Sequence, residues 1–326
     1  MKKILSLFLA LSILTLTAFS LASCFESDNT QIKIGYMAGP TGMGMAKLIH
    51  DNGGAENADG GYFFKKFTDT ALATASLTSG EVDVICLPTN EAAKYHNTVD
   101  SDTVVLAINC FSSLYLVTKD GVEYNSFNDL EGKTIYTCKN GTPKLVIEHL
   151  LAEAGVNATV SYVHGDKTIT TPQEIGALIG TVDIAVVPEP ILTSSLLTSQ
   201  ASCSTHNLGD VWDDISSSPL VMGCIVARRD FVEAHKSRIN EFLGEYKASI
   251  EYIDNAENID NSATYVVETG VMGAAAPAKK ALNNLRGDIA YLDGADMKAA
   301  LEAFYNAIGL TVIGGALPDS DFYYGK

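Results

Sequence analysis

Two periods of hydrophobicity take turns along this chain. The run "IKIGYM" from Ile32 is short, apolar and β-rich; it ends at "AGPTG", and "MGMAKLIHDNG" follows with helical spacing and a closing glycine. That order predicts a strand, a tight loop and a helix. "GYFFKKF" predicts a second strand, "DTALATASLTSG" a helix stopped by Gly80, "VDVICL" a buried strand and "PTNEAAKYHN" a turn into another helix. A second pass repeats the plan. "GKTIYTC" reads as a strand, "KNG" as a loop, and "TPKLVIEHLLAEAG" as a helix with Thr142 at its N-cap and Pro143 in its first turn. "TVSYVH" predicts a strand, and Thr171 to Glu174 a capping box on a short helix. "VDIAVV" and "PEPILTSSLL" complete the set as strand, turn and helix. Strands alternating with helices imply parallel pairing in a layered α/β fold.

The two passes share a phrase. Gly80 to Pro88 reads "GEVDVICLP" and Gly180 to Pro188 reads "GTVDIAVVP". Each phrase is the end of a second helix followed by a third strand, so each half has its own βαβαβ unit. Between the halves lies "AINCFSSLYLVTKD", and after the second comes "SSPLVMGCIVARRD". Both are β-rich and stand where the chain must cross between domains. Two crossings make the first domain discontinuous: residues 32–112 and 225–326 form lobe 1, and 113–224 form lobe 2. The remainder of lobe 1 is helical. "DFVEAHKSRINEFLGEYKASIEYI" takes Asp230 as its cap and carries Ile239, Phe242, Leu243, Tyr246, Ile250 and Ile253 on one face, a packing stripe. "GADMKAALEAFYNAIG" is a further amphipathic helix.

The N-terminus changes the picture of where this chain works. "MKK" precedes an almost wholly apolar run from Ile4 to Phe19, and "LASC" places small residues before Cys24. A short apolar run with these flanks predicts a secretion signal over residues 1–23. Its ending resembles a bacterial lipobox, which implies cleavage before Cys24 and a lipid on its sulfur. The polar residues 24–31 then form a tether. Loss of residues 1–23 removes two lysines and no acids, leaving 20 Lys plus Arg against 39 Asp plus Glu, a net −19. So acidic a chain binds neither nucleic acid nor an anionic bilayer by electrostatics. The other cysteines, Cys86, Cys110, Cys138, Cys203 and Cys224, are odd in number and lack CxxC spacing, so they are expected in the core. Six scattered histidines form no metal-ligand pattern.

Taken in order, the lipobox, "IKIGY…GPTGMG", "LTSGEVDV", "FNDLEGKTI", "NGT…LLAEAG", "GTVDIAVVPEP" and "VARRDFVEAHKSRINEFL" resemble the substrate-binding lipoproteins of ABC importers, in the nitrate, sulfonate, taurine and thiamine-pyrimidine branch. The resemblance implies the type II periplasmic-binding-protein fold, two α/β lobes joined by two hinge strands around a ligand cleft. It implies capture of a small organic molecule by a monomer held to the outer face of a bacterial membrane, and delivery to a permease driven by its ATPase. Neither a cofactor nor a metal is implied, and the chain is expected not to be an enzyme.

Ligands of open α/β sheets bind beyond the carboxyl ends of the strands, where loops lead into helix N-termini. From the matching loops the resemblance carries over Thr41, Gly42 and Met43; Thr89 and Asn90; Ser112, Ser113 and Tyr115; Asn140, Gly141 and Thr142; and Glu189. Gly39, Gly42 and Gly44 are expected to let backbone N–H groups approach the ligand, so that a bulky residue at Gly42 blocks binding and spares the fold. Thr142 and Asn90 read equally as helix caps, and Tyr115 as a core residue. The set is mostly neutral and has no Arg pair for an inorganic oxyanion, which favours an organic ligand. An amine or aminopyrimidine suits a Glu189 that faces the cleft; a sulfonate or carboxylate suits helix N-termini if Glu189 faces away. The rival readings are an enzyme on the same two-lobe fold and a surface lipoprotein with no transport role. Against the enzyme stands the lack of a Ser/Cys–His–acid set, an HExxH motif or paired carboxylates on these loops.

Overall fold

The strands and helices fall where period and punctuation put them, with a few instructive departures. The computed structural model describes residues 28–55, 57, 60–99 and 102–325. The expected signal segment and Cys24 lie outside the described residues. The first unit runs β1 (Ile32–Met37), α1 (Pro40–Gly44), α2 (Ala46–Asp51), β2 (Tyr62–Phe67), α3 (Thr70–Thr78), β3 (Val84–Pro88) and α4 (Thr89–Thr98). β4 (Thr103–Cys110) and β5 (Leu114–Lys119) carry the chain across to the second unit. That unit runs β6 (Thr134–Tyr136), α5 (Thr142–Ala154), β7 (Thr159–Ser161), β8 (Val163–His164), β9 (Lys167–Thr168), α6 (Pro172–Gly176), β10 (Ile184–Pro188), α7 (Ile191–Ser199), β11 (Cys203–Asn207) and α8 (Leu208–Ile215). β12 (Gly223–Arg228) leads back, and α9 (Arg229–Ala234), α10 (Lys236–Asp254), α11 (Ile259–Glu268), α12 (Ala275–Asn284) and α13 (Gly294–Ile308) follow.

These strands make two five-stranded sheets, ordered β2-β1-β3-β12-β4 and β11-β5-β10-β6-β7, and β8 with β9 forms a separate hairpin. β3 and β10, the two echo strands, each sit at the centre of a different sheet. Each has a parallel neighbour from its own unit and an antiparallel neighbour from a crossing segment. The glycine that opens each echo has positive φ, +72° at Gly80 and +80° at Gly180. Glycine adopts that conformation without steric cost, so it can turn the chain from helix to strand.

Side-chain alternation along the strands divides the core. In the second sheet Leu114, Leu116, Ile184 and Val186 join the largest hydrophobic cluster, while Tyr115, Val117, Ala185 and Val187 join a small one with Ile175 and Leu192. The largest cluster also holds Ile85 and Leu87 of the first sheet and Leu301 and Phe304 of α13, so one continuous core serves both sheets. A further cluster fills the other face of the first sheet beneath α1, α2 and α10. There the predicted stripe Ile239, Phe242, Leu243, Tyr246, Ile250 and Ile253 is buried throughout.

Three local expectations are corrected. Gly141, not Thr142, is the N-cap of α5, and Thr142 is its first helical residue. The helix expected from Asp230 is two helices meeting at His235, and Arg228 occupies the N-cap of the first. The strand expected over "TVSYVH" divides at Tyr162, and only its first part joins the second sheet. The capping box at Thr171 and Glu174 is present as expected. Cys86, Cys110, Cys138 and Cys224 are buried thiols and Cys203 a half-buried one, none of them bridged.

Candidate functional site

The carboxyl ends of the central strands bring most of the predicted residues together in three hydrogen-bonded groups. The first gathers around the returning segment 221–223. Thr89 Oγ1 donates to the Val221 carbonyl at 2.6 Å, and its N–H to the Met222 carbonyl at 3.2 Å. Tyr305 Oη closes on the Thr89 carbonyl at 3.1 Å. Next to Thr89, Asn90 accepts at Oδ1 from Thr142 Oγ1 at 2.9 Å. This buried bond ties the first turn of α4 to the first turn of α5, across the boundary between the two sheets. Neither helix has a side-chain cap, and the first turns of both, with the positive ends of their dipoles, meet at this bond.

The second group lies at the first crossing. Ser112 Oγ donates to Asn207 Oδ1 at 3.3 Å. The Ser112 N–H points at the Asp288 carboxylate, and the Phe111 N–H donates to the Asp288 carbonyl at 2.8 Å. Burial pushes the Asp288 carboxyl up to about 7; Asp210, Asp254 and Asp213 push the same way, and the Ser112 N–H opposes them. The third group joins β5 and α7 to α12. Tyr115 Oη donates to the Asn284 carbonyl at 2.6 Å. The Glu189 carboxylate accepts from Thr193 Oγ1 at 2.7 Å, the Thr193 N–H at 3.2 Å and Asn284 Nδ2 at 2.6 Å. Burial, and then the charge of Glu189, hold the Tyr115 phenol well above its ordinary range. The Ser113 carbonyl takes the Glu189 N–H at 2.8 Å and links this group to the crossing.

Some predicted residues go elsewhere. Met43 is fully buried in the core beneath the first sheet. Asn140 is exposed and Gly141 half-buried. The glycines of the first loop serve packing. A Cβ on Gly42 would stand 2.3 Å from the Met37 carbonyl oxygen, and one on Gly44 would stand 3.1 Å from Ile250 and Ile289. Gly42 is therefore small so that α1 can close against its own strand, and the expectation that a bulky residue there spares the fold is corrected. Thr41 is buried with a hydroxyl that no protein group engages.

The sequence reading missed Asn109, Thr193, Asn284 and Asp288. Asn109 left a signal: it is a lone amide within the apolar run of β4. Asn284 and Asp288 left none, because their partners lie far away in the chain and only folding brings them near. Two surface grooves also rest on α10. One is lined by Asn240, Leu243, Lys247, Tyr291 and Tyr324, and the adjoining one by Ile250, Glu251, Asp254 and Tyr291. Neither contains a predicted residue.

Solved structures share this architecture. An ABC transporter protein from Parabacteroides distasonis is 23% identical, with a TM-score of 0.72 over 90% of this chain and 98% of that one. The periplasmic aliphatic sulphonate-binding protein SsuA from Escherichia coli is 16% identical, with a TM-score of 0.67 over 90% of each chain. The periplasmic nitrate-binding protein NrtA from Synechocystis PCC 6803 is 16% identical, with a TM-score of 0.55 over 82% of this chain and 74% of that one. The fold is thus that of the type II periplasmic-binding proteins, as the resemblance implied.

The particular family is narrower. Residues 65–309 match the menaquinone biosynthesis family, so the chain belongs to that family. No curated protein matches it. Membership in a biosynthetic family overturns the expectation that the chain is not an enzyme. That expectation rested on the resemblance and on the lack of a Ser/Cys–His–acid set, an HExxH motif and paired carboxylates on the cleft loops. The candidate site also draws on residues outside those loops, Asn284 and Asp288 among them. Among the described residues no helix is long and apolar enough to cross a membrane.

Proposed function

We propose that this chain captures one small organic molecule at the junction of its two sheets. The observation that carries this reading is the Thr142–Asn90 bond, which joins the uncapped N-termini of α4 and α5 across that junction. A ligand placed there touches both lobes, residues 32–112 with 225–326 and residues 113–224, and contacts made to both only on closure favour the closed state. Uncapped helix N-termini suit a carboxylate or sulfonate. Glu189 is buried and already accepts three hydrogen bonds from Thr193 and Asn284, which counts against an amine or aminopyrimidine at that position.

Two uses of the captured molecule have support. Delivery by a monomer to an ABC permease and its ATPase is the first; the solved relatives, among them an ABC transporter protein and sulphonate- and nitrate-binding proteins, support the delivery. The N-terminal residues agree, since a signal segment over residues 1–23, cut before Cys24, would leave the chain lipid-anchored outside the cell membrane. Conversion of a menaquinone precursor is the second reading, and the family match favours it. One experiment separates them. Native mass spectrometry of the freshly purified chain identifies the co-purified molecule, which is then returned to the protein and followed over time. Release unchanged supports delivery, and a mass change catalysed by the chain supports conversion. A chain that carries nothing and binds none of a broad metabolite panel sinks the binding reading itself.

A further inference from the structure

At the end of the first sheet nearest the junction lies a polar patch that none of the three groups uses. The register between β4 and β12 shifts twice, passing from Val105 to Ala107 and from Ile108 to Cys110 as β12 runs from Val226 to Gly223. Leu106 and Asn109 are thus left without partners in the ladder. Bulges of this kind turn a side chain away from the face that strict alternation would give it. Val105 faces the core shared by the two sheets, whereas Asn109 turns to the opposite face. There Asn109 Nδ2 donates to Tyr246 Oη at 2.9 Å and to Cys86 Sγ at 3.4 Å. Asn109 is wholly buried, and its Oδ1 has no partner.

Thr41, 8% exposed, also has an unpartnered oxygen, its Oγ1. The two side chains meet over Gly223, where a Cβ would stand 2.7 Å from Asn109 Oδ1 and 2.5 Å from Thr41 Cγ2. Gly223 continues the segment whose carbonyls hold Thr89, so this patch adjoins the first group of the candidate site. Unpaired buried polar atoms are uncommon and each costs about 1–3 kcal/mol. Asn109 Oδ1 adjoins Gly223 directly and Thr41 adjoins it through Cγ2, so the two orphan oxygens belong to one patch that a common partner would satisfy. An amide oxygen only accepts and a hydroxyl can accept, so the complementary partner is a donor.

We propose that Thr41 and Asn109 form a subsite for a hydrogen-bond-donating group of the captured molecule: a hydroxyl, an amine or an amide N–H. The subsite rests on the binding reading above and adds a requirement to it. Together with the helix N-termini it selects a molecule with an anionic end and a donor group, and it discriminates against analogues in which the donor is missing or capped.

The probes are benzoate, 3-hydroxybenzoate and 3-methoxybenzoate, titrated calorimetrically into the parent chain and into Thr41→Val. We expect 3-hydroxybenzoate to bind the parent at least tenfold more tightly than the other two. In Thr41→Val that preference, read as the ratio of 3-hydroxybenzoate to benzoate affinity, should shrink to threefold or less. Without any ligand, Thr41→Val should melt at or above the parent temperature, because a methyl of similar shape replaces an unpaired hydroxyl. A lower melting temperature shows that the hydroxyl is paired within the protein and overturns the proposal. Equal affinity for all three probes, as a permanently held water would give, overturns the subsite and leaves the binding reading intact. Preference for the methoxy probe reverses the polarity and also overturns it. A parent that binds none of the probes overturns the subsite, and one that also carries no co-purified molecule overturns the binding reading with it.

Discussion

The two sheets have the same plan, but the chain builds them in different orders. Starting from the strand that is second in its βαβαβ unit, the first sheet reads β2-β1-β3-β12-β4 and the second β7-β6-β10-β5-β11. In each, an antiparallel strand lies beside the echo strand, and the strand beyond it is antiparallel to it in turn. In the first sheet that neighbour is β12, the chain coming back; in the second it is β5, the chain just arriving. Each sheet therefore takes its fourth strand from a crossing, and both crossings lie at the junction. The difference is in weight. β1 and β2 pair over six residues, but β6 and β7 over three. All eight residues of β4 are buried, while its counterpart β11 has none that are. The first half is thus the heavier platform, and the second leans on the shared core and on α13.

The loops after the first strands give the sharpest contrast. Gly42 in the first half lies 2.3 Å, as a built Cβ, from backbone, with Tyr36 and Val271 at 3.0 and 3.1 Å. Gly141 in the second has open surroundings, where a Cβ would meet only Pro143 Cδ at 3.7 Å, although its φ is +90°. Gly42→Val should therefore destabilise the fold by about 3 kcal/mol or more through overpacking that no rotamer relieves. Gly141→Ala should lose about 1–2 kcal/mol, through backbone strain alone. Urea unfolding followed by circular dichroism reads both. Similar losses at the two sites would show that the first loop is no more tightly packed than the second.

How much of this was legible follows from the same contrast. Mostly buried strands such as β1 and β3 are written as largely apolar runs, and the echo phrase marked the third strand of each unit. The short edge strands β7 and β8 carry too few residues for a period, and the division at Tyr162 could not be read. Thr142 looked like a cap because threonine before proline and a helix usually is one; tertiary contact with Asn90 took its hydroxyl instead. The candidate site was legible only in part. Loops that follow strands could be named, but Asn284 and Asp288 reach it from α12 and the turn beyond it. The bulge that re-aims Asn109 depends on pairing with a strand more than a hundred residues later.

Asp288 stands where the halves meet, with Asp210 and Asp213 on the α8 side and Asp254 at the end of α10. Its folded-state carboxyl is raised to about 7, against an unfolded value of ~3.9. Between those values the folded chain holds a proton that the unfolded chain has released. The contribution is then present below about pH 4 and lost as pH rises toward 7. Asp288→Asn keeps an acceptor for the Ser112 N–H and removes the titration. The variant should match the parent near pH 4.5 and gain on it steadily up to pH 7.5, as read by urea midpoints. A difference that stays flat with pH would mean that the carboxyl is ionised throughout and that the junction tolerates the crowding of acids.

The smallest expected effect tests the junction most directly. Thr142→Ala removes the hydroxyl that Asn90 accepts and leaves the Gly141 cap of α5 untouched. Its stability cost, about 1 kcal/mol, should therefore come from the buried Asn90 Oδ1 left without a donor rather than from helix fraying. A double-mutant cycle with Asn90→Ala distinguishes the two origins. If the bond across the halves is the cause, the single losses are not additive, and Thr142→Ala costs almost nothing in the Asn90→Ala background. Additive losses would place the effect within α5 alone. The same bond should also favour the closed arrangement, so Thr142→Ala should expand the ligand-free chain slightly in solution scattering, whereas Ser at this position should restore both the stability and the compactness. A variant as compact as the parent would mean that the continuous core, and not this hydrogen bond, holds the two halves together.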